Sequence, residues 1–254
     1  MSKKLGSMAA AILMTLGTSA YAGAFVNGGF EDGNLNGWTG GGGSWFGGGA
    51  PVDPGTYATG TANNTIMSGG TDPITGANRV YGGGYSVRVN DDVNNRSVST
   101  IRQTVNNYTD NSIFFAWNAV LEASPGLAAS DYFSLTLRDD TVGTNLVSRA
   151  YSSAGSIGSG TSGVTWTQFG SWYSSGWVVE QIDLAALGAV GHDFTLTLLA
   201  SDCPYSGHAG YVYLDGFGAV NPPTGQVPEP GSLALLGLGF AGLAAARQRQ
   251  KKAA

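Results

Sequence analysis

Three groups of residues in this 254-residue chain have the types and spacing that chemistry needs. The first is Asp202, Cys203 and His208. A thiolate nucleophile requires an imidazole within hydrogen-bond reach, a third group to orient it and an oxyanion hole. A short β-loop can bring Cys203 back to His208, which keeps a hydrolase in view. Against it, Pro204 follows the cysteine directly, no helix start is present to lower the thiol pKa, and no second hydrolytic motif accompanies the triplet. The plainer reading makes Cys203 a small buried sulfur and His208 a tie for a glycine-rich loop, with a reactive or intermolecularly paired thiol as the other outcome. No intramolecular disulfide is possible with one cysteine.

The second group is the acid pairs Asp91-Asp92 and Asp139-Asp140. Glycoside hydrolysis wants two carboxyls facing each other across a cleft, about 5 to 10 Å apart, and adjacency in sequence does not supply that. Turn use suits them better, because aspartate favours left-handed and side-chain-bridged turns. His192 beside Asp193 likewise reads as a turn residue. The third group is aromatic: Trp38, Trp45, Trp166, Trp172, Trp177 and Tyr205 are candidates to lie flat against a sugar ring, although most strand aromatics fill cores. No catalytic residue is assigned.

The elements that must position these groups are β-strands. From Gly23 onward the chain reads as short alternating runs punctuated by glycine, with no long helical periodicity. Ala24 to Phe30 reads as a first β-rich run, and Thr39 to Arg79 as mostly loop with one or two short strands anchored by Trp45, Phe46 and Tyr57. Strands follow over Tyr85–Val89, Ser99–Val105, Asn111–Val120, Asp131–Leu137, its hairpin partner Thr144–Tyr151, Trp166–Tyr173, Trp177–Asp183, Phe194–Ala200 and Tyr211–Phe217, with a short turn or helix at Leu184–Leu187. Eight to ten strands in about 200 residues predict an all-β fold: a two-sheet antiparallel sandwich of jelly-roll type.

The two ends differ from the middle. Lys3 and Lys4 precede an apolar stretch from Met8 to Leu16, and Ala20-Tyr21-Ala22 supplies small residues for signal peptidase, so residues 1–22 read as a signal helix and the mature chain begins at Gly23. The β-sandwich spans 23–220, and Asn221-Pro222-Pro223 opens a semi-rigid linker over 221–226. Between the ends there is no lysine, and six arginines face sixteen acidic residues, a formal charge of −10. That charge speaks against nucleic acid as a partner and for cations or neutral sugars.

The tail runs Val227-Pro228-Glu229-Pro230, an apolar stretch from Leu233 to Ala246, then Arg247, Arg249, Lys251 and Lys252. It closely resembles the bacterial PEP-CTERM sorting signal over 227–252. The resemblance implies export, a transient membrane anchor through a hydrophobic C-terminal helix, and processing by an exosortase-type membrane protease. At about 1.5 Å per residue that helix reaches some two thirds of the way across a hydrocarbon core of about 30 Å, which suits a transient stop. Basic residues beyond it would stay on the cytoplasmic side.

Asn27-Gly28-Gly29-Phe30-Glu31 with Asn36-Gly37-Trp38, and the closing Tyr213-Leu214-Asp215, are similar to carbohydrate-binding jelly rolls with a galactose-binding-like fold. In those modules the early glutamate and late aspartate share a structural calcium, which carries over to Glu31 and Asp215 alone; the other reading is a solvated acidic turn and a strand-end cap. Leu198 to Cys203, Gly207 to Asp215 and Phe114 to Glu122 also resemble an exported bacterial domain of uncharacterised role. Taken together, these features predict a non-enzymatic, exported and processed protein of the cell surface or extracellular matrix, associated with exopolysaccharide or biofilm. A carbohydrate-binding module is the alternative.

Overall fold

A computed structural model describes residues 24–47, 53–154 and 164–218. The signal helix, the linker and the sorting tail with its hydrophobic helix lie outside the described residues. Twelve strands occur among them: β1 (Thr39–Ser44), β2 (Asn64–Ser68), β3 (Tyr85–Val89), β4 (Ser97–Val105), β5 (Ser112–Glu122), β6 (Tyr132–Asp139), β7 (Thr144–Ser152), β8 (Thr167–Phe169), β9 (Trp172–Ser174), β10 (Val178–Asp183), β11 (Phe194–Ser201) and β12 (Gly210–Gly218). They form two antiparallel sheets. One has the order β1-β4-β11-β6-β7; the other runs β2-β3-β12-β5-β9-β8, with β10 also paired to β5. The result is a two-sheet sandwich.

Alternation in the sequence decides which face meets the other sheet. On β11, Phe194, Leu196, Leu198 and Ala200 are fully buried in the main core, while Thr195 and Thr197 point away. The register sets Leu198 between Ile101 and Leu135, so three strands bring apolar side chains to one level. From the other sheet, Ile113, Phe115, Trp117 and Leu121 of β5 and Val212 and Leu214 of β12 meet them. Each such side chain, fully removed from water, contributes about 1.5–3 kcal/mol. At the edge where β7 faces β10, Arg149 grips Glu180 at 2.8 and 2.9 Å, and the Trp117 indole donates to the same carboxylate. One ion pair thus closes the gap between the sheets.

The structure corrects two local expectations and, with them, the strand count. Ala24 to Phe30 is a turn rather than a strand, with Asn27 and Phe30 at φ of +49° and +60°. Its buried Phe30 stacks on Trp38 at 5.0 Å, which holds a backbone that β-propensity alone would have extended. The run Trp166 to Tyr173 is two strands, because Gly170 at φ +62° turns the chain between β8 and β9. The strand count is accordingly higher than eight to ten. At Leu184–Leu187 a single helical turn is capped by the Asp183 carboxylate at one end and by left-handed Gly188 at the other.

Candidate functional site

The last strand carries the site. Tyr211, Tyr213 and Asp215 fall at alternate positions of β12, so all three point away from the main core, onto the outer face of the seven-stranded sheet. Each fastens part of the segment 69–85 to that face. Tyr211 and Tyr213 both donate their hydroxyls to Oδ2 of Asp72, at 2.6 and 2.8 Å. Asp72 is 1% exposed, and its other oxygen accepts from the amides of Ile74 and Thr75 and the Thr75 hydroxyl. Burial works against its charge, yet the hydrogen bonds from Tyr211, Thr75 and Tyr213 prevail and hold its carboxyl below the usual value. Burial and the same carboxylate push both phenols well above theirs.

Asp215 holds the next stretch. Its Oδ2 accepts from the amides of Tyr81 and Gly82 at 2.8 and 3.0 Å, and Glu31 accepts from those of Gly84 and Tyr85. Glu31 and Asp215 thus hold neighbouring amides of one stretch, and Glu31 arrives from a turn and not from a first strand. Gly28 makes that approach possible, since a Cβ there would collide with the Phe217 carbonyl, and the Phe217 amide donates to Gly28 at 3.1 Å. Gly83, at φ +74°, gives the Glu31 carboxylate its room in the same way. Asp215 Oδ1 is buried and has no hydrogen-bond partner. Burial, with the nearby Glu31 charge adding to it, pushes the Asp215 carboxyl up to about 7. A buried carboxylate oxygen without a donor, beside a second carboxylate, fits a hard cation. Among the described residues no three acidic, histidine or cysteine side chains gather for one, so backbone oxygens would have to complete any shell.

In front of this loop lies a cavity of about 200 Å³ lined by Gly69, Gly70, Asn78, Val80, Tyr81, Gly82 and Gly83. Tyr81 is the aromatic residue of that lining, and Trp177 braces it from outside. Trp177 lies 5.6 Å from Tyr81 at an interplanar angle of 54°, and its indole donates to the Asn78 carbonyl at 2.9 Å. Behind it Trp177 packs toward Tyr213, and Trp172 toward Tyr211. Arg88 sits 5.4 Å over the Tyr211 ring, and Arg79 donates to the Gly69 carbonyl. The arrangement offers half-exposed rings, an exposed amide at Asn78 and backbone polar groups, all mounted on a rigid sheet.

The other sequence candidates are structural in their placement. Cys203 is fully buried, and its sulfur accepts from the amides of Gly207 and His208 at 3.0 and 3.2 Å. The His208 ring turns away to the Ala129 carbonyl, so thiol and imidazole do not form a pair. Asp202 is buried and receives Asn90, Asn95 and Ser97. Asp91 caps the Val93 amide, Asp92 meets Arg88, and Asp139 collects Thr141, Val142 and His192. Trp38 and Trp166 pack on the main core, Trp45 donates to the Asp202 carbonyl, and Tyr205 is exposed. Sequence reasoning missed Asp72, Asn78 and Tyr81. The only signal for Asp72 was the Tyr-x-Tyr-x-Asp alternation on β12, which announces polar groups on one face without naming their partner.

Residues 226–250 match the model of the PEP-CTERM protein-sorting motif. The chain carries a PEP-CTERM sorting signal. Val227, Pro228, Glu229 and Pro230 lie inside it, and this motif implies export with membrane-anchored transit. Among the described residues no helix is long and apolar enough to cross a membrane; the tail lies outside them. No curated protein sequence matches the chain. Among solved structures it is similar to TmCBM61 in complex with β-1,4-galactotriose, at 11% identity over 77% of this chain and 96% of that one, with a TM-score of 0.38. It is also similar to the CBM27-1 module of Caldicellulosiruptor saccharolyticus in complex with mannohexaose, at 9% identity over 76% and 93%, TM-score 0.36. A third likeness is the enzymatically active domain of bacteriophage CBA120 tailspike protein 4, at 11% identity over 78% of this chain and 21% of that one, TM-score 0.35. At such distances these likenesses transfer no ligand and no activity.

Proposed function

We propose that this PEP-CTERM protein is a non-catalytic glycan-binding β-sandwich, exported, cut near Pro228-Glu229-Pro230 by an exosortase-type protease and working at the cell surface or in an exopolysaccharide matrix. The observation that carries the glycan reading is half-exposed Tyr81, which lines the cavity and is braced by Trp177 at 5.6 Å. Aromatic rings at a concave site with a few polar groups are what sugar recognition uses: C–H faces stack on the rings, and hydroxyls take amides and carbonyls such as those of Asn78. The acidic, lysine-free middle of the chain supports an uncharged ligand over a polyanion. Affinity electrophoresis of the protein through gels containing neutral polysaccharides tests this; retardation by at least one of them is expected, and free migration through all would refute it.

A structural calcium belongs to the same reading. Glu31 and Asp215 would hold it together with backbone carbonyls, and the ion would supply only charge and a cross-link. The unpartnered Asp215 Oδ1 supports this. The protein's own groups do the positioning: Asp215 fixes Tyr81 and Gly82, and Glu31 fixes Gly84 and Tyr85, so the wall of the cavity is set from behind.

A further inference from the structure

We infer that the segment Gly69–Arg79 is a built-in cap, which leaves the outer face of the seven-stranded sheet a pocket for one terminal or branching sugar ring instead of a groove for a polysaccharide chain. This rests on the glycan-binding reading and adds ligand length to it. Without the segment, the outer face would offer a track. Tyr211 and Tyr213 stand 5.7 Å apart, flanked by Trp172 and Trp177. Alternate residues on a strand are spaced by about 6.6 Å, so such a row could underlie more than one ring of a chain.

The track is occupied by the protein itself. Tyr211 is 1% and Tyr213 0% exposed, because Asp72 receives both hydroxyls and Ile74 and Met67 pack on the same cluster. The cap is closed on itself as well: the Asp72 amide donates to Ala77, the Arg79 amide to Gly70, and Thr71 bridges Asn78. Beside it a cavity of about 200 Å³ stays open between the ends of the cap and the loop Val80 to Gly83. That is below the roughly 300–1,000 Å³ of pockets that enclose drug-sized ligands, and it suits a single pyranose. Its lining agrees with this size. Tyr81 is the one aromatic ring among those lining residues, and Trp177 packs against it at 5.6 Å with a tilt of 54°, so the cavity offers one ring to stack on and no flat row over which successive rings could pass.

The test is a length series. The full chain in mild detergent is titrated by calorimetry with galactose, glucose and mannose and with their β-1,4-linked oligomers up to six rings. The cap predicts that affinity levels off by the disaccharide, with the tetramer and hexamer within about threefold of it. A rise of about tenfold or more from dimer to tetramer would overturn the cap while leaving the glycan reading intact. Sugars that bind equally well to Tyr81→Ala would place binding elsewhere and also overturn it. Silence toward every sugar would remove the glycan reading and the cap together. As a second arm, a folded Asp72→Ala protein should gain affinity for the hexamer relative to the monosaccharide, and an unchanged ratio counts against the cap. If that variant does not fold, the wild-type series decides alone.

Discussion

Glu31 and Asp215 grip one stretch of chain from behind: Asp215 takes the amides of Tyr81 and Gly82, and Glu31 those of Gly84 and Tyr85. The two carboxylates come from opposite ends of the sandwich sequence, so anything that stabilises their meeting ties those ends together. A calcium ion bound there favours the folded state by RT ln(1 + [L]/Kd), about 2.7 kcal/mol at a hundred times Kd. EDTA is therefore expected to lower the thermal midpoint, and Asp215→Asn to remove most of that sensitivity. A melting curve indifferent to EDTA would contradict the calcium site.

Asp72 is the strongest single point of attachment between the 69–79 segment and the sheet. Asp72→Ala strands two buried phenol hydroxyls and the amides of Ile74 and Thr75, each unsatisfied group costing about 1–3 kcal/mol. Loss of about 4 kcal/mol or more is expected in denaturant titration, with partial rescue by Asp72→Asn, which keeps one acceptor. A change under about 1 kcal/mol would show that the two tyrosines find water instead.

Acid should stabilise the metal-free protein before it denatures it. Asp202 is pushed up to about 6 by burial, against the hydrogen bonds from Asn95 and Ser97, and burial raises the Asp131 carboxyl well above its ordinary value. A carboxyl with a raised folded pKa binds its proton more tightly folded than unfolded. Stability from Asp202 therefore increases as pH falls from above about 6 toward the unfolded value near 3.9, and declines as pH rises through about 6. In EDTA, lowering the pH from about 7.5 to about 5.5 should raise the thermal midpoint. A midpoint that falls over this range would contradict the raised carboxyl of Asp202, because groups such as Asp72 with a lowered pKa act only at more acid pH.

Much of the sandwich was legible because β6 and the first half of β11 alternate, as burial on one face requires, while β5 is apolar along most of its length, as a central strand buried on both faces must be. Where sequence reading failed, tertiary contacts overrode local preference: Phe30 turns at φ +60° because its ring stacks on Trp38, and Gly170 breaks what reads as one strand. The site was half legible. Asp215 and Glu31 were visible through a sequence likeness, whereas Asp72 and Tyr81 sit in a glycine-rich stretch whose pairing with β12 leaves no periodic trace.

The tail can be tested by fractionation. Glu229→Ala is expected to leave a longer, membrane-bound form, and truncation after Gln226 to release the domain without membrane retention. Equal size and location for wild type and Glu229→Ala would count against processing at this signal.

The most direct test of the glycan-binding account compares wild type with Tyr81→Ala on an array of immobilised glycans. Tyr81 lines the cavity and is only half-buried, so its removal should spare the fold while taking away the ring on which a sugar would stack. The account predicts a defined set of wild-type signals that fall by about tenfold or more in the variant, at an unchanged circular dichroism spectrum. A blank array for the wild type, or signals that the variant retains in full, would contradict it.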